Sequence, residues 1–270
     1  GKRDKRYKTR YQHIGFELEV DRKDYSSSLN NDMAYKIRHI GGINAERNEL
    51  YFNHDGSLEN GFEIISQPHT YASMLKMPIK EIMELLVQNG YLSHEASTCG
   101  LHFHFSRELF GSTEEKQNLA IRKTLQFFDI FYNEMLKVSR RNSGTALQWA
   151  KPTTYDVNYK DTTTKEVLKE IKEKCKETAK EIYYKKGRYY AVNTSNENTV
   201  EFRLMRGTLK YETFIASYDL LYRLVLNSKH IKDSEIQYAE LWLKGIRKET
   251  RDYIKSRGAF TNIIDNVKTK

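Results

Sequence analysis

The 270 residues suffice for one large domain or two small ones, and 39% hydrophobic residues with 19 tyrosines supply a core, which excludes a disordered chain. Two cysteines, Cys99 and Cys175, exclude a disulfide framework, and no apolar run reaches the roughly 18 residues of a membrane span, so a reducing, cytoplasmic setting is expected. A net charge of +9 favours an anionic partner without choosing between nucleotide, nucleic acid and acidic metabolite.

Residues 1–13 form a basic leading segment. Ile14-Gly-Phe-Glu-Leu-Glu-Val20 then alternates apolar and polar side chains, a period of two that predicts a strand. A helix is expected from about Leu29 to Ile40, stopped by Gly41-Gly42. Tyr51-Phe-Asn-His-Asp-Gly-Ser57 reads as a strand ending in an Asp-Gly turn, with Gly61-Phe-Glu-Ile-Ile-Ser66 as its hairpin partner. A second helix, about Tyr71 to Asn89, ends at Gly90. Gly100-Leu-His-Phe-His-Phe-Ser106 alternates again, with Leu101, Phe103 and Phe105 on one face and His102 and His104 on the other.

Ser112 with Glu115 has the capping-box pattern for a long helix reaching about Arg141, with Leu119, Leu125, Phe128, Phe131 and Leu136 on its apolar face. Thr162 to Lys186 is Lys/Glu-rich with a narrow apolar stripe, which marks a solvated helical insertion at about 160–186. Strands return at about Arg188 to Thr194 and Thr199 to Met205, and Tyr211 to Lys229 reads as a helix that would cover a sheet. Helical pieces at Ser234 to Gly245 and Lys248 to Arg257 precede a polar tail. The order predicts an α+β fold: a mainly antiparallel sheet, helices packed on one face, and a concave polar face on the other. Its catalytic domain would span 14–230, with C-terminal helices and tail over 231–270.

Three strands carry paired polar residues at i and i+2: Glu17/Glu19, His102/His104 and Glu201/Arg203, and the hairpin adds Asp55 and Glu63. Each pair has a plainer explanation, respectively a solvated strand face, two half-buried imidazoles satisfied by neighbours, and an ion pair. Their conjunction is less easily dismissed. Glu17 and Glu19 would lie about 7 Å apart at Cα. Four carboxylates, Glu17, Glu19, Glu63 and Glu201, gathered with an imidazole in low dielectric require cations. Oxygen-rich ligands suit Mg²⁺ or Mn²⁺, and such metals with arginines nearby suit polyphosphate chemistry. The chain has no GxxxxGK[ST], HExxH, GxSxG or GxGxxG motif, so a nucleotide would have to be held by other means.

The ordered blocks Gly15-Phe-Glu-Leu-Glu19, Asp55-Gly-Ser-Leu58 with Gly61-Phe-Glu-Ile64, Gly100-Leu-His-Phe-His104, Arg188-Tyr-Tyr-Ala-Val-Asn193 and Thr199-Val-Glu-Phe-Arg203 resemble the amidoligase family. That family belongs to the glutamine synthetase and glutamate-cysteine ligase superfamily and is common in bacteria, fungi and phages. The resemblance covers about Ile14 to Leu209. It implies a glutamine synthetase-like fold and an ATP-dependent carboxylate-amine ligase, in which a substrate carboxylate attacks the γ-phosphate and an amine displaces phosphate from the acyl phosphate. It implies Glu19 and Glu63 on a metal nearer the substrate, and Glu17, His102 and Glu201 on a metal bridging the ATP phosphates. His104 would lie beside those phosphates, Arg203 would neutralise the transferred phosphoryl group, and Arg188 would assist at phosphate or substrate carboxylate. Asp55 would face the amine side of the site. Arg140 and Arg141, with Trp149 downstream, resemble the family's basic patch for substrate or nucleotide, although a charged helix end accounts for them equally. The chain is much shorter than glutamine synthetase, so that enzyme's substrates do not transfer.

Two other classes meet the same residues. A metal-dependent nuclease or phosphohydrolase would use carboxylates, His and Arg around metals without ATP. A noncatalytic nucleic-acid-binding module would use Tyr183, Tyr184, Tyr189 and Tyr190 among Lys185, Lys186 and Arg188. The ligase is the reading carried forward, with ATP, Mg²⁺ or Mn²⁺, an acid and an amine as its partners; nucleic acid is allowed but not required.

Overall fold

The alternating segment Ile14–Val20 forms strand β1 in the computed structural model, which describes residues 13–24, 26–43, 49–54, 56–96, 98–153 and 189–270. Helices and antiparallel strands mix as an α+β protein. The chain divides into two compact units, Gly1–Phe105 with Arg206–Phe214, and Ser106–Met205 with Ile215–Lys270.

In the first unit, β1 is followed by helix α1 (Ser27–Arg38), strands β2 (Leu50–Asn53) and β3 (Phe62–Ser66), helices α2 (Tyr71–Met74) and α3 (Ile79–Gln88), and strand β4 (Leu101–Ser106). The strands lie side by side as β2-β3-β1-β4, all antiparallel. Ile14, Phe16, Leu18 and Val20 of β1 are buried, as are Ile64 of β3 and Leu101, Phe103 and Phe105 of β4, so one sheet face is apolar but for Ser66, whose hydroxyl accepts from Phe16 N–H. Phe214 closes that face, its ring 5.2 Å from Phe16 edge-on and 5.4 Å from Phe103.

The expected hairpin forms, with Phe52 opposite Ile64 and Asn53 opposite Glu63. The expected helix from Tyr71 to Asn89 is instead two helices. Pro78 has no N–H to donate and biases Met77 away from helical geometry, so α2 ends early and α3 starts afresh with Pro78 at its N-cap. Buried Asp21, just past β1, gathers the following loop: its carboxylate accepts from the backbone N–H groups of Arg22, Glu59 and Asn60 and from the Thr98 hydroxyl. Gly61 enters β3 so close to β1 that a Cβ there would lie 1.8 Å from the Val20 carbonyl oxygen.

The second unit contains α4 (Glu114–Ile130), α5 (Tyr132–Ser139), α6 (Ser143–Trp149), β5 (Val192–Asn193), β6 (Thr199–Phe202), α7 (Tyr211–Ser228, whose first turn belongs to the first unit), α8 (Ala239–Leu243) and α9 (Lys248–Ser256). The cap of α4 is Thr113, not Ser112, its side chain accepting from Lys116 N–H. The long helix expected through Arg141 breaks at Phe131 and ends at Arg140, whose left-handed φ of 61° closes α5. Leu119 stays exposed, because the buried stripe of α4 runs through Ala120, Ile121, Thr124, Leu125, Phe127 and Phe128. Phe127 packs on Phe128, Phe131, Trp242 and Phe260, and Phe128 packs on Phe202 of β6.

β5 and β6 pair antiparallel but are shorter than their sequence patterns. Before β5, residues 189–191 bond to Lys151 instead: Lys151 N–H donates to Tyr189 and Ala191 N–H to Lys151. After β6, Arg203 N–H still reaches Ala191, but the Met205 carbonyl accepts from the Arg141 side chain rather than from a strand. The residues after α9, expected as a polar tail, bury Ala259, Phe260, Ile264 and Val267, and the Lys268 carbonyl accepts from Gly245 N–H. The basic start, Asp55, Cys175, the segment Thr162 to Lys186 and Arg188 lie outside the described residues. Among the described residues no helix is long and apolar enough to cross a membrane.

Candidate active site

The polar face of the first unit's sheet follows from strand alternation and register. β1 places Glu17 opposite His102 and Gly15 opposite His104 on β4, and Glu19 opposite Glu63 on β3. Glu17 spans both imidazoles: its Oε2 is 3.3 Å from His102 Nδ1 and its Oε1 is 3.0 Å from His104 Nε2. With no side chain at Gly15, nothing larger than a hydrogen stands opposite His104 on β1. Burial pushes the Glu17 carboxyl up, but hydrogen bonds from His102 and His104 and their charge outweigh burial and hold it well below the usual carboxylate range.

Glu19 and Glu63 are both buried and directly opposed, an arrangement in which two carboxylates repel. Glu19 is anchored by the backbone N–H of Gly100, which donates to its Oε2, while the Ser93 hydroxyl donates to its carbonyl at 2.9 Å. Glu17, Glu19, Glu63, His102 and His104 therefore share one face of one sheet, as their i and i+2 spacing anticipated. Carboxylate oxygens with imidazole nitrogens form a donor set suited to Mg²⁺ or Mn²⁺, and the opposed pair Glu19 and Glu63 is relieved by a divalent cation. The residues present fit such a metal.

The same face holds a residue that motif reading passed over. Tyr51 on β2 lies opposite Ile65, which in turn lies opposite Glu17, so Tyr51 extends the Glu17 row. Burial pushes its phenol up, and the charges of Glu17 and Glu63 push it further. The signal was there in the alternation of Tyr51, Phe52 and Asn53, but only pairing shows which row each joins. Cys99 lies at the entry to β4, and burial pushes its thiol up to about 12, with Glu19 and Asp21 adding and the Thr98 hydrogen bond opposing. At neutral pH it is a thiol and a poor nucleophile.

In the second unit, Glu201 on β6 is opposite Asn193 on β5. Asn193 Nδ2 donates to Glu201 Oε2 at 2.7 Å, and Arg203 Nη1 donates to Glu201 Oε1. Asn193 is itself fixed by Ser195, whose backbone N–H and hydroxyl donate to its Oδ1 at 3.0 and 2.7 Å. Glu201 and Arg203 thus form the ion pair that was their simpler explanation, and Asn193 is an orienting partner that sequence reading missed. Arg141 donates from Nη2 to the Met205 carbonyl at 3.4 Å, and from its backbone N–H to the Ser139 hydroxyl. Arg140 and Arg141 are both partly exposed at the end of α5. Asp55 and Arg188 lie outside the described residues.

An α+β protein whose antiparallel sheet gathers carboxylates and imidazoles on one face offers a donor set for a divalent metal. The family model described as "Putative amidoligase enzyme" matches residues 6–225, and the chain belongs to that amidoligase family, whose enzymes are ligases forming carbon–nitrogen bonds. Among solved structures, a bifunctional glutathione synthetase from Pasteurella multocida aligns with a TM-score of 0.41 and 14% identity, over 96% of this chain and 46% of that one. The chain therefore spans about half the length of that enzyme. No curated protein matches the sequence.

Proposed function

We propose that the chain is an ATP-dependent carboxylate-amine ligase with a Mg²⁺-dependent site on a glutamine synthetase-like sheet. The observation that carries the reading is the buried, directly opposed pair Glu19 and Glu63 beside Glu17, His102 and His104. Glu19 and Glu63 would hold a metal on the substrate side, and Glu17, His102 and Glu201 a second one on the phosphate side. Bound there, divalent ions would supply charge neutralisation for polyphosphate and substrate carboxylate.

The chain's own residues do the rest. Glu17, accepting from His102, keeps that imidazole oriented, and Gly100 N–H keeps the Glu19 carboxylate aimed. His104 would stand beside the nucleotide phosphates. Arg203, now held by Glu201, would neutralise the transferred phosphoryl group, with Arg188 assisting and Arg140 and Arg141 binding substrate. The carboxylate oxygen of the acid attacks the γ-phosphorus, ADP leaves, and the resulting acyl phosphate loses phosphate to the attacking amine, whose proton must be taken up. Asp55 is the residue proposed on that amine side.

A thermal-shift titration tests this, with a non-hydrolysable ATP analogue and Mg²⁺ each alone and then together, on the parent and on Glu19→Ala. Stabilisation of several degrees that needs both ligands and vanishes in the variant is expected. No mutual dependence in the parent would sink the ligase reading, and cleavage of nucleic acid without ATP would replace it with a nuclease.

A further inference from the structure

We propose that Tyr51 contacts the acid substrate of the ligase, its hydroxyl donating a hydrogen bond to a carboxylate oxygen held beside Glu17 and Glu63. The inference rests on the reading of those two residues as metal ligands.

Its grounds lie in the register of the first unit's sheet. Two parallel rows cross the polar face: Tyr51, Ile65, Glu17 and His102 in one, Asn53, Glu63 and Glu19 in the other. At about 4.8 Å per strand, the Cα atoms of Tyr51 and Glu17 are about 10 Å apart, with Ile65 between them. Tyr51 and Glu17 thus share a row of the face with one residue between them, and the charges of both Glu17 and Glu63 are felt at the phenol.

The chemistry of the face then decides what the phenol is for. Glu17, Glu19 and Glu63 are acceptors when ionised, and His102 donates to Glu17. A substrate acid arriving there meets oxygens that cannot donate to it. Tyr51 supplies a hydroxyl, and the residue is 40% exposed. A large aromatic residue left 40% exposed, within the field of Glu17 and Glu63, is poorly explained by packing. Once the carboxylates are neutralised by cations, a donor at their margin selects an oxyanion over a neutral ligand. Ile65, partly exposed between the two, offers an apolar floor for the carbon atoms next to that carboxylate.

The probes are Mn²⁺ alone, followed by Mn²⁺ with acetate as the simplest carboxylate, read by water-proton relaxation on the parent and on Tyr51→Phe. Phenylalanine keeps the ring and removes only the donor. We expect Mn²⁺ affinity within about twofold of the parent, an unchanged melting temperature, and acetate affinity for the Mn²⁺-loaded protein reduced about tenfold, the effect of losing one hydrogen bond to a charged group. Equal acetate affinity in the two proteins overturns the role of Tyr51 while leaving the metal site standing. Acetate that fails to perturb the parent's Mn²⁺ signal overturns it as well. A parent that binds no Mn²⁺ instead removes the metal-site reading on which it rests.

Discussion

Glu63 sits where a carboxylate is least comfortable, buried and opposite another carboxylate on the neighbouring strand. Like charges directly opposed across a sheet cost about 0.2–1 kcal/mol, and more where water is excluded. Glu63→Gln keeps the shape and removes the repulsion. Without metal it should therefore melt about 1–3 °C above the parent, while losing the stabilisation that Mg²⁺ or Mn²⁺ confers. Differential scanning calorimetry with and without EDTA reads both effects, and a variant that melts lower without metal would mean that Glu63 serves the fold rather than the site. The spacing of Glu17, Glu19, His102 and His104 was legible because strand alternation is local. That Glu17 bridges both histidines was not, since the contact joins residues 85 apart in sequence. Asn193 illustrates the same limit: an asparagine in a short strand carries no mark of the glutamate it will hold.

Elements were read well where one period ran uninterrupted and poorly where a single residue changed the course of the chain. β1 and β4 appear over nearly the residues expected. The helix expected across Pro78 splits, and the one expected through Arg141 splits at Phe131, where the ring packs on Phe127 and Phe260. Gly61 shows how closely two elements can depend on one position. A methyl group there would overlap the Val20 carbonyl, so Gly61→Ala must push β3 from β1 and with it Glu63 from Glu19. A loss of about 2–4 kcal/mol is expected from urea unfolding, together with weaker metal binding. Unchanged stability would show that β3 can shift away from β1 without cost to the fold.

The chain as a whole carries its second unit past the end of the family match. Residues 226–270 lie beyond it, yet Trp242 and Phe260 pack on Phe127, Tyr253 donates to the Val138 carbonyl, and Phe260 N–H donates to Glu134. Those bonds reach α5, which ends at Arg140 and Arg141. Deleting residues 258–270 would uncover that aromatic cluster and remove the Glu134 contact. The truncated protein should lose cooperative unfolding of the second unit and bind a hydrophobic dye, whereas native-like unfolding would make the segment dispensable.

Composition and alternation alone determined that the chain folds, that it mixes helices with antiparallel strands, and which side chains share a strand face, because these depend on neighbours within a few residues. Order of motifs was enough to suggest the amidoligase family. Register, burial and partner choice were decided only in three dimensions: Glu19 against Glu63, Tyr51 in the row of Glu17, Asn193 on Glu201, and a tail that packs instead of trailing. Each of these pairs side chains from different strands or distant segments, and their separation is set by how the strands align, a quantity that depends on the packing of the whole sheet and not on any one segment of it.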